Sequence, residues 1–125
     1  VDTVRFAGKL MNVGKILVPI ELLTKQERLS DEERNTITRA MQVSADMLTS
    51  IEFDGPVAEA IRQSQENWDG TGPLGLKGEE IIVPARIIAT ANAFVAMVSP
   101  RSYRDRLSIE QAIQELIRYI HVRYD

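Results

Sequence analysis

The sequence is poor in the side chains that most often do chemistry. It has no cysteine, which excludes disulfides, thiolate metal sites and a cysteine nucleophile. Its one histidine, His121, excludes metal sites built from several imidazoles and leaves a single candidate for the base of a Ser-His-Asp triad. Because His121 stands near the end of the last predicted helix, where histidines commonly meet the terminal carbonyl groups, we expect no catalytic role for it.

Two carboxylates, Glu66 and Asp69, lie beside a segment rich in turn formers. Between residues 69 and 80 there are glycines at positions 70, 72, 75 and 78 and a proline at position 73. This composition is incompatible with a regular element and predicts a loop. An aspartate in such a turn most often accepts hydrogen bonds from loop N–H groups, and this is the role we expect for Asp69.

Composition narrows the class of protein. The 125 residues fit one domain, and 15 Lys and Arg against 18 Asp and Glu give a net charge of −3, which argues against a nucleic-acid-binding protein. The longest nearly uncharged run, residues 87–100, is shorter than the roughly 20 residues of a membrane-spanning helix. The first residues lack the order of a signal peptide. We therefore predict a soluble, cytoplasmic domain with no membrane partner.

Apolar residues recur at intervals of three and four, which predicts an all-α fold. We expect a first helix over residues 3–13, stopped at Gly14, and an apolar connector over residues 16–20. Capping boxes at Ser30 and Ser108 open two later helices. A further helix is predicted over residues 57–68, with Trp68 in the core. The helix over residues 85–98 is apolar on nearly every side, so we expect it to be central and buried. The four methionines are read as core filler.

Three segments, taken in order, resemble the HD-GYP family. Residues 9–16 with Pro19 resemble its pattern leucine-His-Asp-x-Gly-Lys-Ile followed by proline. Residues 66–73 and 75–81 resemble its HHExxDGxGYP signature and the following GLKGEEI, and residues 84–89 through 101–104 resemble its ARI…RPYR block. The similarity spans nearly the whole chain. It implies an HD-domain-like helical bundle and places the chain among helical, metal-dependent phosphodiesterases that open cyclic di-GMP.

The resemblance also implies that the metal ligands are missing. The positions that match the family's His and Asp ligands hold no imidazole and no carboxylate. Without such donors, divalent cations cannot be held with useful affinity. The sequence therefore predicts no metal, no cofactor and a catalytically inactive homologue that is not an enzyme. The six positions are Met11, Asn12, Ala40, Ser64, Gln65 and Asn92.

Three cations match residues that approach phosphate in the family. Lys15 matches its phosphate-contacting lysine, and Arg101 and Arg104 match the RPYR segment. These side chains could bind phosphate, but Lys15 could equally be solvated and the two arginines could pair with nearby acidic residues.

The family's GYP loop is implicated in docking GGDEF-type partner proteins, and its counterpart here is one residue shorter. The run Gly72-Pro73-Leu74-Gly75 replaces Gly-Tyr-Pro-x-Gly. Leu74 and Leu76 are candidate contacts for such a partner, although they could instead cover the core. The predicted docking loop comprises Asp69, Gly70, Gly72, Pro73 and Leu74.

These observations leave three functions open. The first is an inactive HD-GYP-like regulatory or protein-interaction module in bacterial cyclic di-GMP signalling. The second is a receptor that binds cyclic di-GMP through Lys15, Arg101 and Arg104 without cleaving it. The third, ranked last, is a residual phosphodiesterase that uses scattered carboxylates such as Glu66 and Asp69. We expect residues 1–125 to be one HD-GYP-like domain, lacking N-terminal helices and belonging to a longer multidomain chain. A homo-oligomer also stays open.

Overall fold

The computed structural model describes residues 2–11, 18–23, 28–51, 53, 55–99 and 107–125. The described residues form α-helices, a 3-10 helix and two isolated β-bridges, but no strand. The predicted all-α fold is therefore confirmed. None of the described helices combines the length and hydropathy needed to cross a bilayer. The helices are α1 (Asp2–Leu10), α2 (Ile20–Leu23), α3 (Asp31–Leu48), α4 (Val57–Gln63), α5 (Val83–Val98) and α6 (Ile109–Arg118), with the 3-10 helix at Gly78–Glu80.

Local signals explain where the two capped helices begin. The Ser30 hydroxyl accepts a hydrogen bond of 3.1 Å from the Glu33 N–H, and acidic residues fill the first turn of α3, where they face the positive end of the helix dipole. At the start of α6, Ser108 and Gln111 satisfy each other's backbone N–H groups at 3.1 and 3.0 Å, as the capping box predicted.

The core lies where four helices meet. Helix α3 packs against α4, α1 packs against α4 and α5, and α4 packs against α5, while α6 lies on α5. Burying apolar side chains from several helices in one cluster is the main source of stability in such a bundle. The buried members of this cluster are Ala7, Met11, Met41, Ala45, Leu48, Val57, Ala60, Ile61 and Ile88.

Helix α4 is shorter than predicted. It ends at Gln63 because Ser64, the C-cap residue, directs both its hydroxyl (2.7 Å) and its backbone N–H (3.2 Å) to the Ile61 carbonyl oxygen. A serine that bonds locally in this way competes with helix continuation. Trp68 consequently lies beyond the helix and is half-buried rather than in the core.

The predicted burial of the helix over residues 85–98 is wrong for the described part of the chain. Helix α5 buries Ala85 and Ile88 completely, but Ile87 is 49% exposed and Val95 is 56% exposed. The reason is that the described helices cover α5 on only some sides.

The apolar stripe of α6 is likewise largely exposed, and Met47 is exposed on α3, so not every methionine fills the core. The first helix ends at Leu10, and Ile20 belongs to α2 rather than to a connector.

The chain reverses direction after α6 at His121, whose backbone conformation is unusual for a residue other than glycine. His121 has a φ of 63°, the one positive value among the described residues other than glycine. Its N–H donates to the Tyr124 carbonyl oxygen at 2.8 Å, which closes the turn, and its ring lies 6.2 Å from that of Trp68. This left-handed conformation costs a residue with a Cβ atom about 1–2 kcal/mol.

Replacing His121 by glycine should therefore stabilise the domain. Glycine removes the strain but costs about 0.5–1 kcal/mol in backbone entropy, so we expect a net gain on the order of 0.5 kcal/mol in the free energy of unfolding, measured by urea denaturation. The control His121→Ala also loses the ring contact but keeps the Cβ atom, so it should give no gain. Equal effects of the two variants would contradict the strain argument.

Candidate functional site

A buried carboxylate anchors the glycine-rich loop. Glu66 follows α4, is only 4% exposed, and accepts hydrogen bonds of 3.0 Å from the N–H groups of Leu74 and Leu76. Bonds from backbone N–H groups to a charged carboxylate are stronger than bonds between neutral groups. Glu66 thus connects residues 74–76 of the loop to the segment that directly follows α4.

Two residues of the glycine-rich loop, Gly72 and Asp69, determine its conformation next to Glu66. A Cβ atom on Gly72 would lie 2.7 Å from the Glu66 Cα atom and 2.8 Å from the Asn67 nitrogen, so only glycine allows this approach. Asp69 accepts hydrogen bonds from the Thr71 hydroxyl at 2.6 Å and from the Thr71 N–H at 3.0 Å. These bonds hold the pKa of Asp69 below its usual value. Asp69 therefore has the predicted turn role.

After α6, residues 119–125 form a turn, here called the C-terminal turn, which is hydrogen-bonded to the start of the same loop. The N–H groups of Trp68 and Asp69 donate to the carbonyl oxygens of Arg123 (3.2 Å) and Val122 (2.9 Å). Arg86 of α5 adds an ion pair of 2.7 Å to Asp125. Residues far apart in sequence are thereby held around one space.

That space, here called the central cavity, has a volume of about 450 Å³. It opens between the N-terminal part of the chain, α3, the residues after α4, α5 and the C-terminal turn. Four of the six predicted ligand positions, Met11, Ser64, Gln65 and Asn92, come together in its wall, although they are widely separated in sequence. Its lining is Met11, Ile37, Met41, Ser64, Gln65, Glu66, Asn67, Ala89, Asn92, Ala93, Val95, Ala96, Arg123 and Tyr124.

The donors gathered in this wall are mostly neutral. Met11 supplies a thioether, Ser64 a hydroxyl, and Gln65 and Asn92 amides; the Asn92 amide nitrogen lies 3.3 Å from the Met11 sulfur. Divalent ions in phosphodiester chemistry prefer carboxylate oxygens and imidazole nitrogens. Within the described ranges, no group of three or more His, Cys, Asp or Glu side chains could hold a metal ion. These donors alone do not fit a multinuclear metal centre, and no reaction step through a metal follows from them.

The other residues predicted as ligand or phosphate positions lie either outside the described part of the chain or away from the central cavity. Asn12, Lys15, Arg101 and Arg104 lie outside the described residues. Ala40 is buried in α3 and is not among the residues that line the central cavity.

The predicted docking loop is described throughout. Pro73 and Leu74 are exposed at its tip, Leu74 by 44%, whereas Asp69, Gly70 and Gly72 are half-buried. Leu74 therefore does not cover the core, and Leu76 is half-buried.

Sequence reasoning missed Arg123 and Tyr124 as part of the site, as well as the anchoring role of Glu66. The C-terminal residues reach the central cavity only because their turn docks on the loop after α4. No periodicity or spacing in the sequence indicates that contact. For Glu66, its position just before the glycine-rich loop was the one signal available in the sequence.

The HD domain family model matches residues 1–125, the whole chain. The chain belongs to the HD domain family. It is 34% identical over 121 residues to the cyclic di-GMP phosphodiesterase of Thermotoga maritima, covering 93% of this chain and 32% of that protein. It is 32% identical over 119 residues to the cyclic di-GMP phosphodiesterase response regulator RpfG of Xanthomonas campestris, with the same two coverages.

A third relative is named for 3'3'-cGAMP instead of cyclic di-GMP. The chain is 33% identical over 119 residues to the 3'3'-cGAMP-specific phosphodiesterase 2 of Vibrio cholerae, covering 93% of this chain and 23% of that protein. The chain thus spans about a third or less of the length of these relatives.

The relatives contradict the prediction that the chain is not an enzyme. Proteins 27–34% identical to it over most of its length are named cyclic di-GMP phosphodiesterases, which points to an enzyme. The prediction rested mainly on the six positions that lack the family's metal ligands. A catalytic centre can also draw on donors elsewhere in the chain, including the residues outside the described ranges.

Removing the Glu66 anchor should destabilise the domain. Glu66→Ala leaves the N–H groups of Leu74 and Leu76 without their acceptor, and we expect a loss of about 2–3 kcal/mol in the free energy of unfolding, measured by urea denaturation. Glu66→Gln keeps one acceptor oxygen and should lose less. Glu79→Ala, an exposed change in the same loop region, is the control; a loss no larger for Glu66→Ala than for this control would refute the anchor.

Proposed function

We propose that this HD domain binds cyclic di-GMP in the central cavity and acts in cyclic di-GMP signalling. The observation that carries the proposal is the cavity of about 450 Å³, a size typical of small-molecule sites, at the place where the resemblance puts the family's site residues. The names of the relatives supply the ligand class, a cyclic dinucleotide.

The lining suits the parts of such a ligand. Ile37 and Val95, which are not buried, offer apolar surface for the face of a purine base, while Met11 and Met41 are lining residues that belong to the buried core. Asn67 and Asn92 present amides, each with donors and an acceptor that can pair with a base edge or a phosphate oxygen. The mixture of an apolar wall and a few convergent polar groups is typical of a ligand pocket.

Binding is the step that a phosphodiesterase and a receptor share, and both are consistent with a cavity of this kind. Hydrolysis would in addition require an activated water molecule. Lys15, Arg101 and Arg104, if they reach the cavity, would neutralise phosphate charge as the resemblance implies.

The loop offers a second role, as a docking site for GGDEF-type signalling proteins. The observation that favours it is the tip at Pro73 and Leu74, which is exposed while Glu66 holds the loop in place. An exposed apolar side chain on an anchored turn can be buried by a partner at little cost in ordering. This role would make the domain a regulatory module, and it stays a prediction.

Calorimetric titration of cyclic di-GMP tests the binding proposal. We expect micromolar or tighter binding by the wild type and at least tenfold weaker binding by Ala93→Phe, because the added ring fills the central cavity. The matched control is Ala91→Phe, the same change on an exposed part of α5, which should bind as the wild type does. Equal binding by both variants would place the ligand elsewhere.

The same samples, incubated with Mn²⁺ and analysed by chromatography, report on turnover. Release of the linear dinucleotide would show the activity for which the relatives are named. Binding without product would show a receptor. Absence of heat with both cyclic di-GMP and 3'3'-cGAMP would contradict the proposed function.

A further inference from the structure

Arg123 is held in a fixed position beside the central cavity. Its carbonyl oxygen accepts the Trp68 N–H at 3.2 Å, and its own N–H donates to the Tyr119 carbonyl oxygen at 3.0 Å. Both ends of the residue are thus bound, one to the loop and one to the end of α6. Arg123 is one of the residues that line the central cavity, and its guanidinium carbon lies 5.4 Å from the centre of the Tyr119 ring.

Arg123 also stands out by its charge. Among the described residues that line the central cavity, only Glu66 and Arg123 are charged, so Arg123 is the one cation of that set. The Glu66 carboxylate is already engaged by the loop N–H groups of Leu74 and Leu76. No carboxylate of the described residues forms an ion pair with the Arg123 guanidinium.

We infer that Arg123 is a phosphate-binding residue of the central cavity and that it contacts a phosphodiester oxygen of the cyclic dinucleotide. This inference rests on the proposed function. A guanidinium presents several N–H donors in a planar fork that matches two oxygens of a phosphate group. The contact with Tyr119 limits the freedom of the side chain, and this lowers the entropy lost when the ligand binds.

Arg118 provides a matched control in the same part of the chain. Its guanidinium also lies over the Tyr119 ring, at 5.7 Å, but it pairs with Glu115 at 3.6 Å and does not line the central cavity. The two arginines therefore share charge, aromatic partner and exposure and differ in their access to the cavity.

The test is calorimetric titration of cyclic di-GMP into the wild type, Arg123→Gln, Arg123→Lys and Arg118→Gln, at low and high NaCl. We expect Arg123→Gln to weaken binding about tenfold or more and Arg123→Lys to weaken it less. Arg118→Gln should stay within about twofold of the wild type. Because salt screens a charge contact, the affinity of Arg123→Gln should fall less steeply with NaCl than that of the wild type. Thermal unfolding of each variant shows that the fold is intact.

The outcomes separate the two proposals. If the wild type binds and Arg123→Gln matches Arg118→Gln in affinity and salt dependence, the role of Arg123 is overturned while the proposed function stands. If the wild type itself does not bind cyclic di-GMP, both fail.

Discussion

The arrangement of the site depends on one buried carboxylate. Glu66 accepts the N–H groups of Leu74 and Leu76 and so fixes a loop that has too many turn formers to hold a shape by itself. The C-terminal turn then docks on the start of this loop through the N–H groups of Trp68 and Asp69. The Glu66 carboxylate, the docking of the C-terminal turn and the ion pair between Arg86 and Asp125 together hold the loop and the last residues of the chain beside the central cavity.

Much of the fold was predictable because its signals are local. The capping box at Ser108 and the glycines after Asp69 act within a few residues. The capping prediction is confirmed, whereas the loop predicted over residues 69–80 gives way to a 3-10 helix at Gly78–Glu80. The prediction placed the end of α4 too late. The helix ends where the Ser64 hydroxyl donates to the Ile61 carbonyl oxygen, and the spacing of apolar residues does not indicate this hydrogen bond. The exposure of α5 was missed because composition states how apolar a helix is, but not which neighbours cover it.

The candidate site was predictable only in part, and for a different reason. Family resemblance grouped Met11, Ser64, Gln65 and Asn92, and the structure brings these four residues into one wall. It gave no indication of Arg123, which reaches the central cavity through tertiary contacts. The conclusion that the chain is not an enzyme went further than side-chain identity allows, and relatives named as phosphodiesterases contradict it. What the structure shows directly is a cavity lined by both apolar and polar residues.

The most direct test of this account is NMR of the protein with ¹³C-labelled methionine methyl groups, titrated with cyclic di-GMP. Met11 and Met41 line the central cavity, whereas Met47 is exposed on α3 and serves as an internal reference. If the messenger binds in the cavity, the Met11 and Met41 methyl signals shift in proportion to occupancy and the Met47 signal does not. Unchanged Met11 and Met41 signals at saturating ligand would contradict the account.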